Sequence, residues 1–253
     1  MNICGRSPAR PLAAALAGLV VLLLAGAAAR AASDDCETPP EMTETDAKLP
    51  HLAERLKAHQ PVSIVAIGGA STIGQAAGSP DLSYPHRLGE DLAQAFPGAP
   101  VTVINKGVPR QSARQNLERF PTDVFAEDPI LVIWEVGIND AVHGTDIDDF
   151  AQTLQDGLDQ LKNRAIDSVL MDMQFSRSSA TLINFEGYLK ALHRVGDLAE
   201  VYVFPRYAMM RYWSEQKVFN FDDVAAEDRA KLAARVYDCL GRKVTEIIQH
   251  AVQ

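Results

Sequence analysis

Ser71 is the residue around which chemistry can be built. It follows an apolar, β-branched run, Val62-Ser-Ile-Val-Ala-Ile67, and the glycine pair Gly68-Gly69, and Gly74 closes the block. Such a run reads as a buried parallel strand, and the glycines as a sharp turn at its carboxyl end. That edge is where open α/β sheets hold their ligands. A serine hydroxyl on such a turn attacks an acyl carbon when a base takes its proton and hydrogen-bond donors meet the oxyanion. Two further runs end in suitable donors. Gly107 follows the run 101–104 and offers a backbone N–H with no side chain in the way; Asn139 follows the run 130–136 and offers a carboxamide. The N–H of Ser71 itself is the third donor. Each residue also has a plain structural reading: Ser71 as a turn or cap serine, Gly107 as a turn glycine, Asn139 as a helix cap. The stretch Ser71-Thr-Ile-Gly74 could also cradle a phosphate, but with no Gly-Lys-Ser/Thr after it, it is not a Walker loop.

Five strands are needed to position these groups, and five are legible: 62–67, 101–104, 130–136, 168–173 and 201–204. Helical spacing of apolar residues predicts helices over 46–60, 84–96, 112–120, 146–164, 181–198 and 227–250, with a single helical turn at 209–213. Alternation of strands and helices predicts one α/β domain over 61–253, a parallel sheet covered on both faces. Residues 32–60 read as a polar leader, carrying Pro39-Pro40, followed by a covering helix. Met209, Met210, Tyr212 and Trp213 read as packing residues. The stretch 174–180 reads as a loop near the ligand edge.

The chain of 253 residues carries a formal net charge of −9. Arg6 and Arg10 precede an apolar run to Ala29, and Ala29-Arg-Ala31 offers small residues at a cleavage site, so residues 1–31 read as a cleaved signal peptide and the body as periplasmic or secreted. The alternative is an uncleaved anchor, since about 20 apolar residues span a bilayer; only then is a membrane a partner. Removal of this segment takes away three arginines and no acid, leaving −12, which excludes nucleic acid as a natural partner. Cys36 and Cys239 then remain as an even pair in an oxidising compartment and are expected to form a disulfide, with two unpaired thiols as the alternative. No His/Asp/Glu cluster has ligand spacing, so neither a metal nor another cofactor is expected.

The blocks Gly69-Ala-Ser71-Thr72, Asn105-Lys-Gly107 and Gly137-Ile-Asn139-Asp140 resemble, in order and spacing, those of the SGNH/GDSL hydrolases over roughly 61–240. Ala70 stands where that family usually has Asp, and Arg110 replaces a usual glycine. The resemblance implies a flavodoxin-like three-layer α/β/α sandwich with a five-stranded parallel sheet. It also implies hydrolysis of acyl or acetyl esters, with Ser71 as nucleophile, Ser71, Gly107 and Asn139 as oxyanion donors and Asp222 as the acid of the last block. The partner it implies is a small-molecule, glycan or lipid ester. The family's histidine position holds Ala225, which accepts no proton. Substitute bases are Glu135, at the end of an apolar strand where burial raises a carboxylate pKa, and His143, one turn past Asn139. Glu135 has the rival reading of an ion pair with Lys106 or Arg110. His193 reads as lying on a crossover helix far from the ligand edge, and His51, His59, His86 and His250 as solvated helix residues. A non-catalytic relative that binds an acylated lipid or glycan in the same cleft is the alternative function.

Overall fold

The computed structural model describes residues 1, 36–44 and 47–253, so the expected signal peptide lies outside the described residues apart from residue 1. The chain divides into two compact units, Met1–Ser33 and Asp34–Gln253; the second carries the fold. Its elements follow one another as α1 (Pro50–Lys57), β1 (Val62–Gly68), α2 (Ala70–Ile73), α3 (Tyr84–Ala95), β2 (Val101–Gly107), α4 (Ala113–Glu118), β3 (Leu131–Glu135), α5 (Ile138–His143), α6 (Ile147–Lys162), β4 (Asp167–Met171), α7 (Arg177–Leu182), α8 (Glu186–Ala199), β5 (Tyr202–Phe204), α9 (Arg206–Glu215) and α10 (Arg229–Ala251). No helix among the described residues is long and apolar enough to cross a membrane.

The five strands pair in the order β2-β1-β3-β4-β5, all parallel. This is the expected flavodoxin-like order. Successive strand residues point to opposite faces. Ile64, Ala66, Leu131, Ile133, Val169, Met171 and Phe204 face one core with Leu88 of α3 and Val236, Leu240 and Val244 of α10. Val65, Ile67, Val132, Trp134 and Leu170 face the other with Phe150, Leu154 and Leu158 of α6 and Leu192 of α8. Burial on both faces explains why β1 and β3 read as continuous apolar runs. The chain reverses direction across the sheet between β1 and β3, so their carboxyl ends bound the crevice where ligands bind in such sheets.

Local chemistry moves several expected boundaries. The covering helix begins at Pro50, whose fixed φ suits the first helical position. The expected 181–198 helix is two helices. Ser176 caps α7 through Ser179 N, and Ile183 is extended and breaks the run before α8. The single turn at 209–213 is the full helix α9, with Met209, Met210 and Trp213 buried as packing residues. The leader, expected as a polar stretch, also packs: Cys36 is buried, and Trp213 Nε1 donates to Glu37 O at 2.9 Å. His51 is paired, its Nδ1 lying 2.7 Å from Asp167 Oδ1.

Cys36 and Cys239 form the expected disulfide across 203 residues of sequence. Closing so long a loop limits the freedom of the unfolded chain. A Cys36→Ser/Cys239→Ser variant is expected to lose about 2–4 kcal/mol. An unchanged urea midpoint would show that the bridge adds nothing.

Candidate active site

The β1–α2 turn presents Ser71 at the second position of α2, where backbone N–H groups have no intrahelical acceptor. Two neighbouring strands press on this turn. A Cβ on Gly107 would stand 2.3 Å from Ile73 N and 2.9 Å from the Thr72 backbone, so glycine is required for β2 to approach so closely. Asn139 Nδ2 lies 3.5 Å from the position a Gly69 Cβ would take, and donates to Gln111 O at 2.9 Å. Asn139 follows Gly137, whose φ of 101° turns the chain from β3 into α5. The three blocks therefore meet at one turn. One detail departs from expectation: the Gly107 N–H donates to Asn105 Oδ1 at 3.0 Å. Asparagine side chains commonly bond backbone two residues on. Asn105 Nδ2 reaches Thr72 O at 2.6 Å and fastens β2 to the same turn. Arg110, in place of the family's glycine, adopts φ 68°, the conformation glycine takes freely.

Ser71 is 5% exposed, and its side chain sits in a polar network. Its hydroxyl donates to Gln174 Oε1 at 3.1 Å and accepts from Arg206 Nη2 at 2.9 Å. Arg206, 1% exposed, also donates from Nη1 to Glu135 Oε1 at 2.9 Å and from Nη2 to Gln174 Oε1 at 3.3 Å. Thr72 Oγ1 donates to Glu135 Oε2. Burial pushes the Tyr237 hydroxyl above the usual phenol range, while Arg206 and its contact with Ser71 pull against this. Tyr84 is raised by burial and by Glu135. Glu135 is thus an ion-pair partner, of Arg206 and not of Lys106, which pairs with Glu127 at 2.6 Å. Arg206 and Gln174 were missed from the sequence. Arg206 lies two residues past β5 and Gln174 three past β4, at the ligand edge.

The remaining expected residues stand apart from Ser71. His143 is exposed at the end of α5 and faces Asp140. Asp140 is buried, which raises its carboxyl, and its oxygens accept from Ala113 N at 3.2 and 3.1 Å, holding the start of α4. Asp222 is exposed, and its Oδ1 accepts from Ser178 N at 3.0 Å. The loop thus directs this carboxylate to the first turn of α7. Ala225 is exposed beside it. His193 lies closer to the ligand edge than expected, its Nε2 3.2 Å from Asp172 Oδ2, one residue past β4. That hydrogen bond raises the imidazole pKa, while burial raises Asp172. A groove of about 1220 Å³ lined by His51, Arg55, Thr102, Glu127 and Arg164 opens at the amino ends of the strands. It holds none of the motif residues, and the opposite edge is the one used for ligands in this topology.

Comparison with known proteins points the same way. The model of the non-GDSL lipase-like family matches residues 35–253. A two-domain esterase (CEX) active on acetylated mannans superposes with a TM-score of 0.64 at 18% identity, over 81% of this chain and 55% of its own. A variant of Axe2, an acetyl-xylooligosaccharide esterase from Geobacillus stearothermophilus, superposes with a TM-score of 0.59 at 18% identity, over 72% of this chain and 94% of its own. TesA does so with 0.55 at 17% identity, over 72% and 99%. At such identities the likeness establishes the fold alone. No curated protein matches.

Proposed function

The chain belongs to the non-GDSL lipase-like family, and from that premise we propose that it is an exported, slow acyl-ester hydrolase with Ser71 as nucleophile. The observation that carries this reading is the packing of Gly107 and Asn139 against the turn that presents the Ser71 hydroxyl. In this reading an ester carbonyl lies over Ser71 Oγ, and its oxygen takes the Ser71 N–H and Asn139 Nδ2 as donors. These donors stabilise the charge that forms on attack. Gly107 contributes chiefly its missing side chain, since its N–H is engaged by Asn105. The ester's C–O bond to the alcohol then breaks, the alcohol leaves, and water hydrolyses the acyl-serine. None of Gln174, Arg206 and Tyr237, the groups hydrogen-bonded to Ser71, takes a proton at neutral pH. Solvent base must therefore remove it, and the rate rises with hydroxide. The Cys36–Cys239 bridge supports an oxidising compartment. O-acetylated glycans are the substrate class we favour, because two structural neighbours act on acetylated mannans and acetyl-xylooligosaccharides.

A fluorophosphonate probe and an aryl acetate test this reading. Mass spectrometry is expected to place the probe on Ser71, and folded Ser71→Ala to lose both labelling and hydrolysis. Undiminished hydrolysis in Ser71→Ala would refute it. The acceptor role of Gln174, an amide that takes no proton, favours a second reading, a binding protein without turnover. That reading requires an acetylated oligosaccharide to bind wild type and Ser71→Ala alike, with neither protein labelled.

A further inference from the structure

We propose that Arg206 is a catalytic residue that activates Ser71 by stabilising its alkoxide. The proposal rests on the reading of Ser71 as nucleophile. Arg206 is the single cation in hydrogen-bond contact with the serine oxygen, Nη2 to Oγ 2.9 Å, among the described residues. A guanidinium stays protonated at any working pH. In a largely buried site its attraction for an anion is stronger than in solution. Ion pairing with Glu135 needs only one edge of the guanidinium, yet the fold directs Nη2 at the serine and leaves the buried Nε without a hydrogen-bond partner. Gln174 can follow the change, because its side-chain amide offers an acceptor to the hydroxyl and a donor to the alkoxide.

The charged and titratable groups around Ser71 come from several packed elements. Glu135 ends β3, Tyr84 begins α3, Tyr237 lies on α10, and Asp172, past β4, feels the charge of Arg206. Glu135 fixes the guanidinium and offsets part of its charge; Thr72 draws on the same carboxylate. In the step itself, hydroxide takes the Ser71 proton and becomes water. The Oγ–acyl bond forms as the carbonyl opens to an oxyanion, which collapses with loss of the alcohol as alkoxide, and water protonates that alkoxide. Arg206 supplies charge stabilisation and no proton.

The rate of fluorophosphonate labelling of Ser71 between pH 6 and 10 tests this directly. Hydrogen bonds to charged groups of the usual strength predict labelling about tenfold to a hundredfold slower in Glu135→Met/Arg206→Met, equivalent to a displacement of about 1–2 pH units. This double variant leaves no buried charge unpaired, and its fold is checked by near-UV circular dichroism. Glu135→Gln keeps the guanidinium and removes the opposing charge, so labelling should quicken; a merely structural ion pair predicts no such gain. Unchanged or slower labelling in folded Glu135→Gln overturns the proposal, as does an unshifted profile in the folded double variant. Wild type unlabelled at every pH overturns the nucleophile reading along with it.

Discussion

Ala225→His is expected to raise kcat for an aryl acetate about a hundredfold or more between pH 7 and 8, because a positioned general base contributes about 10²–10⁴. The loop that bears Ala225 joins two helices that touch Ser71. It leaves the end of α9, whose first residue, Arg206, contacts Ser71, and enters α10, whose Tyr237, further along the helix, lies against it. A histidine at 225 stands three residues after Asp222. That carboxylate spends Oδ1 on Ser178 N–H and keeps Oδ2 to orient an imidazole. Gln174, now the acceptor of the serine proton's hydrogen bond, has to yield to the ring. The gain should vanish in Ala225→His/Ser71→Ala and shrink in Ala225→His/Asp222→Asn. The pH profile should change too: the alkaline rise of the wild type should become a plateau above the imidazole pKa. A folded Ala225→His protein as slow as wild type would mean that the loop does not reach the nucleophile.

Much of the sheet was legible because its signals are local. A strand buried on both faces must be apolar along most of its length, and 62–67 and 130–136 are, apart from Ser63 and Glu135. Gly107 and Asn139 were legible because each lies three residues past an expected strand run, and parallel strands carry their carboxyl ends to one edge. The Ser71 network was not, because its partners are brought in by the fold from positions 135, 174, 206 and 237. One signal for Arg206 was present. Met209, Met210 and Trp213 form the buried stripe of α9, and residue 206 falls on that stripe at helical spacing. A charge on a buried stripe needs a partner, and Glu135, a carboxylate ending an apolar strand, needed one too. Asp222 failed for a different reason. Its neighbours specify a turn but not where that turn points, and the backbone N–H groups of the first turn of α7 were a competing donor site for its carboxylate. The two helices α7 and α8 ran together in the sequence for the same reason, since the Ser176 cap and the extended Ile183 are not apolar signals.

Arg206→Met is expected to cost about 3–5 kcal/mol, because it leaves Glu135 buried without its counter-charge. For a domain of this size that lowers Tm by roughly 6–20 °C. The loss should depend on pH in a defined direction. A buried carboxylate stripped of its cation has a folded-state pKa above its unfolded value of about 4.3. Its proton is then bound more tightly by the folded state, so the variant regains stability as pH falls, and its deficit should be smaller at pH 5 than at pH 8. Glu135→Met in the same chain removes the stranded charge, and most of the lost stability should return; replacement of buried pairs by apolar residues is often neutral or stabilising. Thr72 limits the recovery, since its hydroxyl loses the Glu135 acceptor in the double variant. Denaturant midpoints for the two single and one double variant close the cycle. If Arg206→Met were as stable as wild type at pH 8, the guanidinium would not be neutralising Glu135. The same contact could not then hold Nη2 on the Ser71 oxygen.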